Sequence, residues 1–507
     1  MLVSALRQRI LELAIQGKLV PQLPKDGTAE ELYQQIQLEK KKLIAAGKLK
    51  KGKALPPITE EEIPFDIPKS WKWVRLGDVF EIITGKTPSK SNNDNYTPAS
   101  VPFYKPADIG LVPHIETASQ QVSEKGSKVA HLLPKGSILV NCIGSIGKCS
   151  IIDKEGICNQ QINAVISIAS IDMDYILSVM RSDYAVKAER HSASATTISI
   201  LNKQKFSNIC IPLPPLAEQK RIAEKIETLF AELDTIERSQ ERVAAIQAEL
   251  NKRILERAVQ GKLVSQCPEE GTAEELYQQI QQEKKKLIAA GKLKKEKPLP
   301  PITEDEIPFD IPDSWKWVRL GALSSLITKG TTPRGGNLSY SSSGIAFLRA
   351  ENVVGITQLD KSNLRYVDQE THSTVLKRSI LEEDDILITI AGTLGRTALV
   401  RKEDLPLNAN QAVSFMRPII HDMHTLKYIL YALNASVIKN ILLKQQKVTA
   451  IPNLTLENIS SCCIPFPPIS EQRRIVKKLE QMLPQLGKHQ SQQHHDDMHL
   501  QEHKYTE

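Results

Sequence analysis

The sequence predicts an α+β fold with a pseudo-two-fold repeat, in which two mixed α/β domains of one fold are separated by long antiparallel coiled-coil helices. The first observation is an internal repeat: residues 6–77 and 250–321 align without a gap, and 59 of the 72 positions are identical. The second is an apolar stripe with helical spacing through residues 216–260. The third is a common order of predicted strands and helices in the two segments that follow the repeats and have diverged in sequence.

Each repeat contains the same signal for the start of a helix. Thr28 and Thr272 are each followed three residues later by a glutamate, a pattern typical of a capping box. The charged, proline-rich stretches 48–69 and 292–313 come next, and they predict extended linkers with little core of their own.

The apolar stripe predicts one long coiled-coil helix. Its expected interface, which would also serve partner proteins, comprises Ile222, Ile226, Leu229, Leu233, Ile236, Val243, Leu250 and Ile254. In the second copy this helix is divided, since residues 464–483 resemble 211–230 and residues 6–20 resemble 250–264. We therefore expect the C-terminal helix to lie beside the N-terminal one and to complete a second, antiparallel strut. A His-rich tail follows Pro484 and departs from this pattern.

The divergent segments each predict strands followed by a helix. The first segment has strands within 101–105, 137–152 and 162–168 and an amphipathic helix near 172–190. The second has strands within 345–350, 385–400 and 411–416 and a helix near 422–444. The predicted regions are an N-terminal helical region with its linker (1–63), a first domain (64–213), a central helical region with its linker (214–307), a second domain (308–466) and a C-terminal helix with the tail (467–507).

Composition indicates a cytoplasmic protein with a polyanionic partner. The 507 residues carry a formal net charge of +7, with a sequence pI near 8.8. No segment approaches the ~18 uninterrupted apolar residues that cross a bilayer, and the N-terminus lacks a signal-peptide core. Seven cysteines without a CxxC pair predict reduced thiols and no metal site. Neither a phosphate-binding loop nor an adenine-methylating motif occurs, so we expect no catalysis and no bound cofactor.

Near-identical helical repeats beside divergent domains suit the recognition of a target in two unlike parts. DNA is the best candidate, because two base-reading surfaces held apart by a stiff helix would read two short sequences with an unread gap. Each repeat would dock one copy of the same partner protein. Two other hypotheses are an adaptor whose domains bind different proteins and an enzyme with its site in a divergent domain.

The chain resembles the specificity subunits of Type I restriction-modification systems. The resemblance rests on IPLPPLAEQKRI and IPFPPISEQRRI at 211–222 and 464–475, on the two A(I/V)QGKLV segments, and on the IPxSWxWVRLG segments at 67–77 and 311–321, and it extends to about residue 486. It implies two target-recognition domains that read an asymmetric bipartite site in double-stranded DNA. It also implies two modification subunits that methylate adenine from S-adenosylmethionine, and restriction subunits that use ATP and Mg.

Polar segments at corresponding places in the two domains are the candidate DNA-contacting regions. They are the loops 84–96 and 328–341, the turns 144–148 and 392–396, and the loops 192–199 and 447–453. Asn can pair with adenine, Arg and Lys can pair with guanine, and a glycine turn that ends in a cation suits a phosphate. The candidate side chains are Lys86, Lys90, Asn92, Asn93, Lys148, Ser194, Thr196, Thr197, Lys329, Arg334, Asn337, Arg396, Lys447 and Thr449. Flexible surface loops and ordinary hairpin turns would have similar sequences, so both interpretations stay open.

Two repeated features are predicted to be structural. Trp71 and Trp73 recur as Trp315 and Trp317. Because identical tryptophans cannot distinguish two different half-sites, a role in the core is favoured over base stacking. The lysines at 40–42 and 284–286 are predicted to form the solvated face of a helix rather than to contact phosphates.

Overall fold

The computed structural model divides into two units between Arg242 and Val243. It describes residues 2–193, 200–295, 297–333, 340–341, 343–444 and 453–483. The units share one order of elements, as the internal repeat and the predicted strand order indicated, except that the two-residue strand His114–Ile115 of the first unit has no counterpart among the described residues of the second. A continuous helix of 44 residues, Leu216–Val259, begins in the first unit and ends in the second. The long helix predicted over 216–260 is therefore confirmed.

The first unit contains short helices and strands inserted between the repeat and the long helix. Its helices are α1 (Leu2–Ile15), α2 (Ala29–Ala45), α3 (Leu76–Val79), α4 (Glu124–Ser127), α5 (Met173–Arg181), α6 (Asp183–Ser192), α7 (Lys203–Ser207) and the start of α8 (Leu216–Val259). Its strands are β1 (Lys72–Arg75), β2 (Phe80–Thr84), β3 (Val101–Tyr104), β4 (His114–Ile115), β5 (Gln120–Val122), β6 (Ile138–Asn141), β7 (Cys149–Ile152), β8 (Ile157–Cys158), β9 (Ile162–Ser167) and β10 (Cys210–Leu213).

The second unit repeats this series. Its helices after α8 are α9 (Ala273–Ala289), α10 (Leu320–Leu323), α11 (Gln369–Ser373), α12 (Met423–Asn434), α13 (Ser436–Lys444), α14 (Leu456–Ser461) and α15 (Ile469–Met482). Its strands are β11 (Lys316–Arg319), β12 (Ser324–Lys329), β13 (Ile345–Leu348), β14 (Arg365–Val367), β15 (Ile386–Thr389), β16 (Thr397–Leu399), β17 (Leu407–Ala409), β18 (Val413–Pro418) and β19 (Cys463–Phe466). The His-rich tail lies outside the described residues.

Each unit contains a main sheet, a small second sheet and a strand pair that closes the domain. The main sheets have the orders β2-β9-β6-β7-β4 and β12-β18-β15-β16, and the second sheets have the orders β5-β3-β8 and β14-β13-β17. The closing pairs join β1 to β10 and β11 to β19, both antiparallel. The strand that enters each domain therefore pairs with the strand that leaves it.

The central strands of both main sheets are buried on both faces. Ile138 and Leu139, neighbours on β6, belong to different core clusters, as do Ile386 and Leu387 on β15. Successive side chains of a strand point to opposite faces, so both faces are covered by apolar residues. This explains the uninterrupted apolar runs at these strands in the sequence.

The helices predicted near 172–190 and 422–444 are each two helices, which corrects the prediction. Ser182 separates α5 from α6 with an extended backbone, and its hydroxyl accepts a hydrogen bond from the amide of Ala185. Ala435 separates α12 from α13, which are bent by 70°. The apolar spacing continues across both breaks, so periodicity alone does not reveal them.

The repeats form a helical frame that holds each domain through a buried carboxylate. The Trp71 indole donates a hydrogen bond to Glu218 at 3.0 Å, and the Gln22 amide donates to the same carboxylate. Trp315 donates to Glu471 at 2.8 Å in the second unit. Burial raises the pKa of the Glu218 carboxyl. Since Trp71 and Trp315 are each 6% exposed, their predicted core role is confirmed.

A buried arginine fastens each proline-rich linker to its domain. The Arg75 guanidinium donates to both carboxylate oxygens of Glu62, to two carbonyls of the linker and to the carbonyl of Asn208. The hydrogen bond from Arg75 lowers the pKa of Glu62 to about 2. Arg319 makes the matching set in the second unit, including the carbonyl of Ser461. The linkers are thus extended but anchored.

One lysine of each predicted solvated face is instead held by the domain. Lys40 Nζ donates to the carbonyl of Gly77 at 2.8 Å, and Lys284 Nζ donates to the carbonyl of Gly321 at 2.9 Å. The solvated-face prediction is therefore wrong for Lys40 and Lys284, because both side chains reach backbone carbonyls at the domain entry. The lysines at 41–42 are exposed as expected.

In the first unit α1 and the segment after it run antiparallel to the first half of α8. Arg7 pairs with Glu237 at 2.9 Å, and Arg221 pairs with Asp26. Of the predicted coiled-coil positions, Ile222, Ile226, Leu233 and Ile254 are buried, Leu229 is half-buried, and Ile236, Val243 and Leu250 are exposed. Their role in partner contacts remains a prediction.

Among the described residues, no single helix is both long and apolar enough to cross a membrane, although the bent pair α12 and α13 reaches that length and composition jointly.

Candidate nucleic-acid interface

In the first domain two candidate segments leave the same end of the main sheet. Thr84 pairs with Asn163, Asn163 with Val140, and Val140 with Cys149, so these residues form one row across β2, β9, β6 and β7. The loop that follows Thr84 and the turn between β6 and β7 both extend from this row. The sheet therefore brings Lys86 and Lys148 to one end.

The residues that directly follow the third candidate segment lie at the same place. Residues 194–199 lie outside the described residues, but Ile200 forms a bridge with Ile143 in the β6–β7 turn. The Leu201 amide donates to the Cys142 carbonyl at 2.9 Å, and the Asn163 side-chain amide donates to the Leu201 carbonyl at 3.1 Å. The starts of the first two candidate segments and the residues that follow the third thus lie at one sheet end.

The described residues at the edges of the matching segments in the second domain are placed in the same way. Lys329, at the end of β12, pairs with Ser414, which pairs with Ile388 next to the β15–β16 turn. The Leu454 amide donates to the Ile390 carbonyl at 3.0 Å, which returns the segment after 447–453 to this turn. The placement of these described residues therefore recurs in spite of the divergent sequences.

A glycine lets each first loop pass close to the neighbouring backbone. A Cβ atom at Gly85 would lie 2.1 Å from the Asn159 carbonyl oxygen, and one at Gly330 would lie 2.1 Å from the Ala409 carbonyl oxygen. The Lys86 amide donates a hydrogen bond to the Cys158 carbonyl at 2.9 Å, and the Thr331 amide donates one to the Ala409 carbonyl at 3.0 Å. Both loops are therefore fixed at their first residues.

We predict that Gly85→Ala lowers the free energy of unfolding by about 1–3 kcal/mol, because the added methyl group has no space against the backbone. It should also weaken DNA binding, since the loop that carries Lys86 must shift. Thermal unfolding checks the first effect. Gly52→Ala is the control, because a Cβ there meets nothing within 4 Å. Equal stability of the two variants would contradict the close-packing argument.

The described candidate side chains are available to a ligand to different degrees. Lys86, Lys90, Asn92, Asn93, Lys148 and Lys329 are exposed, whereas Arg396 is half-buried. Ser194, Thr196, Thr197, Arg334, Asn337, Lys447 and Thr449 lie outside the described residues. Contact of any of these side chains with DNA remains a prediction.

The loop 84–96 is held by its own hydrogen bonds. The buried Asn95 side chain donates to the Ser89 carbonyl at 3.0 Å, and the Tyr96 hydroxyl donates to the Pro88 carbonyl at 2.7 Å. Internal bonds of this kind leave the exposed Lys86 and the residues around it on an ordered support. This arrangement favours a recognition loop over an unstructured one.

The structure adds cations that the sequence reasoning missed. Lys105 and Arg349 follow β3 and β13, and the ends of these strands lie beside the segments that Gly85 and Gly330 pass closely. In each case the backbone amide of the cation donates a hydrogen bond to a side chain three residues later. A lysine or arginine directly after the corresponding strand of each domain was the sequence signal that could have identified Lys105 and Arg349. Arg378 Nε donates to Thr331 Oγ1 at 3.1 Å, a contact across 47 positions that no local pattern indicates.

A repeated helical frame that carries two dissimilar domains, each with described polar residues from separate segments at one sheet end, defines a protein that recognises a target at two separate surfaces. Comparison with known proteins agrees with this definition. The chain belongs to the family of the Type I restriction modification DNA specificity domain, whose model matches residues 68–245 and 312–493.

Relatives and a solved structure support the same family. The chain is 29% identical to the Type I restriction enzyme EcoEI specificity subunit of Escherichia coli, over 94% of this chain and 88% of that protein. It is also 29% identical to the EcoAI specificity subunit of Escherichia coli, over 95% and 89%. A chain of a solved structure on complex assembly and conformational transition of the type I R-M system has a TM-score of 0.55 and 21% identity, covering 87% of this chain and 96% of that one. The last match supports the fold.

Proposed function

We propose that this chain is the non-catalytic subunit that recognises DNA sequence in a Type I restriction-modification complex. Each divergent domain reads one half of an asymmetric bipartite site in double-stranded DNA. The observation that carries the proposal is a shared placement at one sheet end in each domain. The start of the first polar loop, the turn between two strands and the residues that follow the third polar segment lie there, with different side chains in the two domains. A shared support with different contact residues suits two different half-sites.

The repeats are assigned to assembly. The near-identical frame of each unit offers the same surface twice, which suits two modification subunits, and the helices would set the number of unread base pairs between the half-sites. Methyl transfer from S-adenosylmethionine to adenine would reside in the modification subunits, and ATP- and Mg-dependent cleavage in the restriction subunits. This chain would bind none of these cofactors and would act in the cytoplasm. For this assignment we retain the regions 1–63, 64–213, 214–307, 308–466 and 467–507 as proposals.

Family membership gives no support to the adaptor hypothesis. Salt dependence separates the two functions, because contacts to DNA phosphates make log affinity fall linearly with log salt concentration.

Mapping of methylated adenines in a host that carries this chain and its modification subunit tests the proposal. We expect a motif of two short, unlike words separated by a fixed unread gap. Deletion of the gene for this chain, with the modification subunit retained, should abolish the motif. A single uninterrupted word, or a motif that survives the deletion, would contradict the proposal.

A further inference from the structure

The first domain presents two neighbouring apolar side chains to solvent. Among the described residues, Leu111 is the most exposed large apolar side chain, at 80%, and the adjacent Val112 is 49% exposed. Both lie between the short helical turn after β3 and the strand β4. Single exposed apolar residues are common on protein surfaces, so the support and the surroundings decide whether this pair has a role.

A buried serine holds this segment on both sides of Leu111. The Ser150 hydroxyl on β7 accepts a hydrogen bond from the Gly110 amide at 3.0 Å and donates one to the Val112 carbonyl at 2.6 Å. Ser150 is fully buried in the main sheet. Because one buried group makes both bonds, the backbone on either side of Leu111 is fixed while its side chain projects into solvent.

The segment lies at the sheet end that carries the candidate DNA-contacting lysines. His114 of β4 pairs in parallel with Ile151 of β7. Leu111 and Lys148 each lie three residues earlier in these two segments, so they reach the same end of the sheet. A Cβ atom at Gly110 would lie 2.8 Å from Lys148 Cβ, so the stem of Lys148 packs over this glycine. Leu111 is therefore next to an exposed cationic side chain.

The second domain lacks both the serine and the apolar side chain. Ala398 occupies the position of Ser150 in the strand register, and it has no hydroxyl group. Gly355 occupies the position of Leu111, since each lies two residues after the cap of the short helical turn that follows β13 or β3. The two sheet ends therefore differ in chemistry at this position.

We propose that Leu111 is a base-reading residue of the first domain and contacts the 5-methyl group of a thymine in the major groove. This proposal rests on the proposed function and names one chemical feature of the first half-site. At the base edges of duplex DNA the thymine methyl is the apolar group, whereas the other groups there donate or accept hydrogen bonds. The ammonium of Lys148, beside this segment, is placed to bind a backbone phosphate and so to position Leu111 in the groove.

The test uses the full chain in complex with its modification subunits, and duplexes that carry the methylated motif. Each thymine of the motif is replaced in turn by uracil, which keeps the pairing with adenine and lacks the methyl group. We expect one such replacement to weaken binding by the wild type about fourfold, the effect of one buried methyl group. Leu111→Ala should bind the thymine duplex more weakly with an unchanged salt slope, and the same replacement should not weaken it further.

Leu132→Ala is the matched control, because Leu132 is an exposed leucine of the same domain that precedes β6, whereas the turn with Lys148 follows β6. It should respond to uracil like the wild type. If no replacement weakens the wild type, or if the replacement weakens Leu111→Ala equally, the methyl contact is refuted while the proposed function stands. The second result is also expected if Leu111 inserts between bases or contacts a modification subunit. If the wild-type complex selects no motif and binds DNA independently of salt, the proposed function fails.

Discussion

Replacement of residues 80–210 by the corresponding segment of a relative with another specificity is expected to change one half of the methylated motif completely and to leave the other half unchanged. The block begins after β1 and ends at the start of β10, so the closing strand pair and the frame stay in place. Methylated-adenine mapping measures the outcome.

The attachments between frame and domain explain why a foreign block should fit. Arg75 donates to the carbonyl of Asn208, and Arg319 donates to the carbonyl of Ser461 at the equivalent position, both at 2.6 Å. Since the acceptor is backbone, the side chain at that position is free to differ, as it does between the two domains. The Tyr175 hydroxyl on α5 likewise donates to a backbone carbonyl, that of Pro212, which lies outside residues 80–210. The chain itself already carries two dissimilar domains on one frame.

The matched experiment replaces residues 324–463 and should change the other half of the motif alone. A change of both halves after either exchange would show that the domains do not read independently. An unchanged motif after both exchanges would show that the reading residues lie outside these blocks.

Glu189→Leu is expected to stabilise the chain by several kcal/mol at alkaline pH and by less in mild acid, since each unit of pKa shift corresponds to about 1.4 kcal/mol. Glu189 on α6 is 0% exposed, and neither carboxylate oxygen has a hydrogen-bond partner among the described residues. Burial raises its pKa to about 8. The second domain has Leu442 at the equivalent position, buried at 1%.

The sign of the pH dependence follows from the proton count. The unfolded carboxyl loses its proton near its ordinary pKa of about 4.3. The folded state keeps its proton up to about pH 8. Within this window the folded state binds one more proton than the unfolded state, so stability falls as pH rises and levels off above the folded pKa. Urea unfolding of the wild type and of Glu189→Leu, measured near both ends of the window, should diverge as pH rises.

Two further variants separate the charge from the packing. Glu189→Gln should remove the pH dependence without the apolar gain, whereas Glu241→Gln, at an exposed position on α8, should behave like the wild type. Parallel pH profiles for the wild type and Glu189→Gln would refute a buried, protonated carboxyl.

The sequence was sufficient where structure depends on short-range pattern. The capping boxes at Thr28 and Thr272 are present, and the long helix runs from Leu216 to Val259 as its apolar spacing predicted. The strands β3, β6, β7 and β9 and their counterparts β13, β15, β16 and β18 were located because they are short apolar runs bounded by turn residues. The short strands β4, β5, β8, β14 and β17 were not predicted. The breaks at Ser182 and Ala435 were missed, because one extended residue does not alter the apolar periodicity.

The sequence by itself determined that this protein is a duplication with two conserved helical regions and two diverged domains, because identity and periodicity are properties of the chain alone. Only the tertiary structure decided which polar segments lie together, which is a matter of strand pairing between residues far apart in sequence, such as Thr84 with Asn163. The same long-range packing buried Glu189, anchored Lys40 on backbone carbonyls and set the stem of Lys439 against Gly395. Burial and charge proximity depend on neighbours that folding supplies, so no local pattern carries them.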